Sequence, residues 1–239
     1  MYRKYVPFLL FLFFLYGCNG NKQEEKEDVS VFVDLPQLKA EGEITAVTLY
    51  SSTSYFQYKM QPMGYEYDLI NDFAKSQGLK LNIKVAENPA RLIEMLEAGE
   101  ADVVAYPIPI NNKLKQEVIY CGREDISSQV LIQRANKGDK LLTDVTQLID
   151  KNVYVKPNTK YSERLKNLDE ELGGGIHIQK VENDSIATED LIEMVSLGEI
   201  PYTISDDNTA RLNKTYYWNI NVDLKVSFPQ RSSWVVRKS

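Results

Sequence analysis

The chain has 239 residues, 43% of them hydrophobic and 26% charged, and 28 Lys and Arg stand against 34 Asp and Glu for a net charge of −6. That length allows one large domain or two smaller lobes with a sizeable core, and the composition is ordinary for a globular chain. The acidic balance and the lack of a Lys/Arg-rich run exclude a nucleic-acid partner, because phosphate binding needs a clustered basic face.

The first twenty residues, MYRKYVPFLLFLFFLYGCNG, differ from the rest. Arg3 and Lys4 precede an apolar run from Val6 to Tyr16 that is too short to span a bilayer, the pattern of an export signal. Leu15-Tyr16-Gly17-Cys18 resembles a bacterial lipobox, in which Cys18 is lipidated and becomes the mature N-terminus. A plain cleaved signal or a short membrane anchor would use the same run, and the lipobox favours lipidation. The expectation is a lipoprotein signal peptide over 1–18 and a polar tether over 19–42 that begins NGNKQEEKEDVS. It places the protein in the envelope of a Gram-negative-type bacterium, as an outer-membrane lipoprotein on the periplasmic or surface side.

In chain order, EITAVTLYS (43–51) reads as a strand, YDLINDFAKSQG (67–78) as a helix closed by Gly78, and LKLNIKVA (79–86) as an alternating strand. LIEMLEAGEADVVAY (92–106) follows as an amphipathic helix, a Gly stop and a strand. NVYVKP (152–157) is a strand, and a helix runs from about Tyr161 to Leu172. The glycines at 173–175 lack the spacing and Lys of a phosphate loop and read as that helix's C-terminus. IHIQKVE is a strand carrying the single histidine, His177, and LIEMVSLGEIPYTIS (191–205) completes the series. LIEM-x-x-x-GE thus recurs at an offset of 99 residues, in the same helix–strand context, and points to two related lobes. Strands alternating with helices imply an α/β fold with mostly parallel sheets.

Ligands of such sheets sit beyond the carboxyl ends of the strands, so Tyr106-Pro107 and Ser205-Asp206 are equivalent ends facing a shared cleft. Asp206 suits a ligand ammonium, with capping of the helix that begins near Asn208 as its other reading, and Asp207 falls to that cap or to solvent. Asn158 and Thr159 precede a helix whose free N–H groups suit a carboxylate, or simply cap it. Tyr55, Phe56 and Tyr106 are aromatic candidates for the cleft wall, with core packing as the other reading. Ser127 and Ser128 lie where the chain crosses between lobes and are hinge or ligand contacts. Adjacent carboxylates on extended chain point to opposite faces, so neither Asp206-Asp207 nor Glu124-Asp125 makes a catalytic pair. Only Cys121 remains after Cys18, and no HExxH or CxxC motif occurs, so neither an intramolecular disulfide, a metal site nor a cofactor is expected.

Residues 43–239 resemble the bacterial extracellular solute-binding proteins of family 3. The resemblance is carried by GYEYDLINDFAKSQGLKLNIKV (64–85), RLIEMLEAGEADVVAYPIPINNKLKQEVIYCG (91–122), NVYVKPNTKYSERL (152–165) and the strand YTISDDNT. It implies the two-lobed periplasmic-binding-protein type 2 fold, with lobe one over 43–128 plus about 215–239 and lobe two over 129–214. The family places an Asp at Asp206 against the ligand ammonium. It places an Arg where this chain has Leu114, within Asn111-Asn112-Lys113-Leu114; Asn111 then stands at the lobe-one ligand position, and Lys113 or Lys115 offers charge without a planar fork. That departure favours a larger ligand, such as a cell-wall peptide, or a ligand-independent role.

The segment from Tyr202 to Ser239, with Gln230 and Trp234, resembles more narrowly the end of the regulatory solute-binding domain in the F type of membrane-bound lytic murein transglycosylases. The resemblance implies a lipid-anchored sensor that closes on an amino acid or muropeptide and adjoins a C-terminal catalytic domain; no catalytic residue carries over to this chain. A stand-alone amino-acid receptor for an ABC transporter and a cyclohexadienyl dehydratase-like enzyme are the alternatives.

Overall fold

The computed structural model describes residues 34–183 and 186–238. The expected signal peptide, Cys18 and the first part of the tether lie outside them. The first lobe comprises α1 (Leu35–Glu41), β1 (Glu43–Leu49), a hairpin of β2 (Phe56–Tyr58) and β3 (Gln61–Met63), α2 (Tyr65–Gln77), β4 (Lys80–Ala86), α3 (Pro89–Glu97), β5 (Val103–Pro109), α4 (Leu114–Glu117) and β6 (Val118–Ser127). The second comprises β7 (Gln129–Arg134), β8 (Asn152–Val155), α5 (Lys160–Glu171), β9 (His177–Lys180), α6 (Thr188–Leu197), β10 (Tyr202–Asp206), α7 (Asp207–Lys214) and β11 (Ile220–Asn221). The chain then returns to the first lobe as β12 (Gln230–Arg237).

Each lobe holds a five-stranded sheet, ordered β4-β1-β5-β12-β6 in the first and β11-β7-β10-β8-β9 in the second. β4, β1 and β5 run parallel, as do β9, β8 and β10, while β12 and β7 pair antiparallel with β5 and β10. The sheets are therefore built alike, with β5 and β10 at equivalent central positions. The exchange of chain is reciprocal: β6 leads into β7, and the chain beyond β11 comes back as β12.

Local chemistry accounts for the repeated helices. Asn88 caps α3, its Oδ1 accepting from Arg91 N at 3.0 Å, with Pro89 at the first helical position. α6 ends at Gly198 with φ +82, a left-handed cap that side chains disfavour. Gly64, which starts α2, has φ +135, and a Cβ there would meet Ser54 O at 2.3 Å. Only glycine lets the hairpin lie against the helix start, where Tyr65 N and Tyr67 N donate to Thr53 O and Ser54 O.

Helices cover both faces of each sheet, and each face has its own core. Ile44, Ala46 and Val103 pack under α1 and α2, whereas Val47, Val104 and Ile108 pack with Leu92 and Leu96 of α3. In the second lobe Val153, Val155 and Ile204 pack with Tyr161, Leu165 and Leu168 of α5, and Val130 and Ile132 with Leu191, Ile192 and Val195 of α6. Burial on both faces explains the near-continuous apolar runs of the central strands.

Two expected boundaries move. Residues 35–41 of the expected tether form α1, because Asp34 Oδ1 accepts from Leu35 N and Leu38 buries against Ile44 and Ile70. The return to lobe one falls near Ser227 rather than 215, because β11 pairs with β7 and Val226 N donates to Gln129 O.

Candidate ligand cleft between the lobes

The strand period of two decides where Asp206 points. Ile204 and Tyr202 face the α5 core, and Asp206, two residues further on, projects on the same side toward the start of α5. There its Oδ2 accepts from Lys160 Nζ at 2.5 Å and from Tyr161 OH at 3.1 Å. Both members of the ion pair are half-buried, so the contact is a charge-assisted bond of the kind that contributes about 1.5–3 kcal/mol. Asp206 occupies the N-cap position of α7, yet its carboxylate makes no cap bond; Asp207 opens the helix and pairs with Arg211 one turn on, 2.9 Å away.

A cavity of about 370 Å³ lies between the lobes. Lys160, Asp206, Asn208 and Thr209 form its wall on the second lobe. Pro107, Pro109, Glu66, Arg123, Asp125 and Ser232 are among its residues on the first, and Ser127 and Gln230 lie at the crossings. Pro107 and Asp206, matched by the 99-residue repeat, both reach this cavity. An adjoining pocket of about 200 Å³ has Glu66 and Trp234 on its wall. The Glu66 carboxylate accepts from Trp234 Nε1 at 2.5 Å. Burial raises its pKa to about 7; the Trp234 hydrogen bond opposes the rise, Asp125 adds to it and Arg123 offsets it. The Arg123 guanidinium donates to Tyr65 OH at 3.1 Å and lies 3.7 Å from Asp125.

Burial also pushes the Tyr106 and Tyr161 hydroxyls upward, with Asp206 and Glu189 adding to it, so both phenols stay protonated as donors. Glu189 joins the lobes directly, its Oε1 accepting from Ser52 N and Ser52 Oγ. At the crossings Gln129 N donates to Ser227 Oγ at 2.8 Å and Gln129 Nε2 to Gln230 Oε1 at 3.2 Å.

The sequence-predicted residues divide. Asp206 lines the cavity, Tyr106 lies within electrostatic reach of it, and Ser128 is buried at the crossing with its carbonyl accepting from Asp207 N. Thr159 caps α5 through Ser162 N, and Asn158 is exposed with φ +56 in the turn before it. Tyr55 is a correction: it is buried, stacked edge-on against Tyr67 with ring centroids 5.8 Å apart, and so belongs to the core rather than the cleft wall. Phe56 starts the hairpin as a half-buried residue outside the cavity wall. Asn111 is exposed and outside the cavity wall, with its Oδ1 accepting from Leu114 N at 2.9 Å. Lys160, Tyr161, Glu66 and Glu189 were not anticipated. A Lys at the first position of a helix opposes the helix dipole, which is the one local sign that Lys160 has a carboxylate partner.

Among the described residues no group of three or more His, Cys, Asp or Glu could hold a metal ion, and no helix is long and apolar enough to cross a membrane. What the cleft offers is fixed charge of both signs and hydroxyl donors between two lobes, a binding chemistry.

Residues 44–218 match the model of the bacterial extracellular solute-binding proteins, family 3. The chain belongs to that family. Among relatives of this family 3 protein, a membrane-bound lytic murein transglycosylase F from Desulfosudis oleivorans is 32% identical over 206 residues, 84% of this chain and 43% of that protein. One of the same name from Pseudomonas fluorescens is 28% identical over 84% of this chain and 41% of its own length. The chain thus spans well under half of the curated relatives it matches. Among solved structures, a mutant of the arginine-binding protein of Thermotoga maritima superposes with a TM-score of 0.71 at 19% identity, covering 85% of both chains. An ancestral arginine-binding protein bound to arginine gives 0.70 at 19% identity, covering 83% of this chain and 85% of its own. These likenesses establish the two-lobed type 2 fold of periplasmic amino-acid-binding proteins.

Proposed function

We propose that this family 3 protein is the sensing part of an exported, lipid-anchored envelope protein, whose lobes close on a small polar ligand bearing an ammonium group, an amino acid or a cell-wall peptide. The observation that carries the reading is Asp206, a carboxylate set by the last residue of a central strand onto the wall of the cavity between the lobes. Closure shifts an open–closed equilibrium to the extent that the ligand binds the closed form better. The output is control of a peptidoglycan lytic transglycosylase, a reading supported by the 28–32% identity to transglycosylases F over 84% of the chain. The lipobox-like Leu15-Tyr16-Gly17-Cys18 supports an anchor at Cys18, and through it a place at the outer membrane.

A stand-alone transport receptor is the second reading, favoured by the resemblance in fold to arginine-binding proteins. Calorimetric titration with free amino acids and with muropeptides tests the site for both. Binding by the wild type that is lost in Asp206→Ala supports the clamp, and equal binding by both proteins removes Asp206 from it. Preference for muropeptides over free amino acids selects the first reading.

A further inference from the structure

We infer that Lys160 is a tethered counter-ion, which holds Asp206 in the ligand-free cleft and passes to the carboxylate of an incoming zwitterion. The inference rests on the reading of the cleft as a ligand site and goes further by naming a specificity residue and the charge class it selects. Lys160 Nζ and Asp206 Oδ2 are 2.5 Å apart, and each side chain keeps 19% exposure. Both residues line the cavity, so the pair lies on its wall and not behind it. They come from different elements, the first residue of α5 and the last of β10. Rotation about the flexible lysine stem therefore breaks the pair without moving either backbone.

The surroundings favour exchange. Tyr161 OH donates to the same Asp206 oxygen at 3.1 Å and keeps that carboxylate aimed into the site after Lys160 leaves. Lys160 sits at the positive end of the α5 dipole, where an anion is welcome and a cation is held only by its partner. Beside the pair, the Lys160 ammonium lies 5.5 Å from the Tyr161 ring centroid, and Glu189 adds a second carboxylate to the surroundings. Both cations on the first-lobe wall are already engaged: Arg123 is shared between Tyr65 OH and Asp125, and Arg231 donates to both oxygens of Glu124.

Charge balance then sets the selectivity. An amine that takes Asp206 strands the Lys160 ammonium, and an acid that takes Lys160 strands Asp206. Unpaired charge on a half-buried wall is costly, so either half-ligand is rejected. A molecule carrying both groups replaces one pair with two.

Calorimetry with the twenty amino acids, with the decarboxylated and N-acetylated forms of the tightest binder, and with N-acetylglucosamine as an uncharged probe tests this. The expected result is that the wild type binds an amino acid at least about tenfold more tightly than its amine or its N-acetyl form. Lys160→Met should weaken the amino acid by at least about tenfold and strengthen the amine, whereas Lys160→Arg should keep the wild-type order. Three results overturn the inference: an amine that binds the wild type as well as its amino acid, an amino-acid affinity unchanged in Lys160→Met, or loss in Arg123→Gln but not in Lys160→Met. Binding of N-acetylglucosamine without any amino acid overturns the inference and leaves a ligand cleft standing. Silence from every probe, muropeptides included, removes both.

Discussion

The Glu189 carboxylate accepts from both the amide and the hydroxyl of Ser52, at 2.9 and 2.8 Å, and so ties the first turn of α6 to the loop after β1 in the other lobe. These bonds are exposed, and one charged acceptor serves both donors, so the net contribution is about 1 kcal/mol. Glu189→Ala is expected to move the population about fivefold toward the open form, read as a larger radius of gyration in small-angle scattering. An unchanged scattering curve would show that the bond carries no net energy.

Glu66 predicts a particular pH dependence. Its carboxyl is raised from 4.5 to about 7, chiefly by burial, so between those values the folded chain holds a proton that the unfolded chain has released. The stabilisation this provides is complete below the unfolded value and is lost as pH rises to about 7. Glu66→Gln removes the titration and keeps an acceptor for Trp234. In urea unfolding the variant should exceed the wild type by roughly 3 kcal/mol at about pH 8 and by under about 1 kcal/mol at about pH 5. A difference that does not change with pH would contradict burial as the cause.

Leu92 and Leu191 occupy the same place in the 99-residue repeat, and both are fully buried, in separate cores under α3 and α6. Each Leu→Ala change should cost about 2–5 kcal/mol. Because the two sites share no partners, the double variant should lose the sum to within about 0.5 kcal/mol in denaturant unfolding. A double variant no less stable than the worse single one would show that the lobes do not unfold as one unit.

What was legible in the sequence was local or periodic. LIEM-x-x-x-GE and the strand runs around it carry their own helix and strand periods, and they located β5 and β10 as equivalent strands ending at one cleft. The pairings that complete the lobes were not legible. β12 joins residues far away in sequence, such as Trp234 opposite Cys121, and nothing in either segment names its partner. The same reason hid the Lys160–Asp206 pair and the Glu66–Trp234 bond, whose members lie 46 and 168 residues apart. Tyr55 shows the converse limit: an aromatic residue after a strand suits a cleft wall or a core equally, and only the position of Tyr67 decides it.

The most direct test of closure on a ligand is a labelled distance between the lobes. Exposed Ser76 of α2 and exposed Lys166 of α5 can each be changed to Cys in a Cys121→Ser background and carry a fluorophore pair. The distance is expected to shorten when the tightest-binding amino acid or muropeptide is added to otherwise wild-type protein, and to stay constant in Asp206→Ala. A ligand that binds with no change in that distance, or that shortens it equally without Asp206, would contradict the clamp.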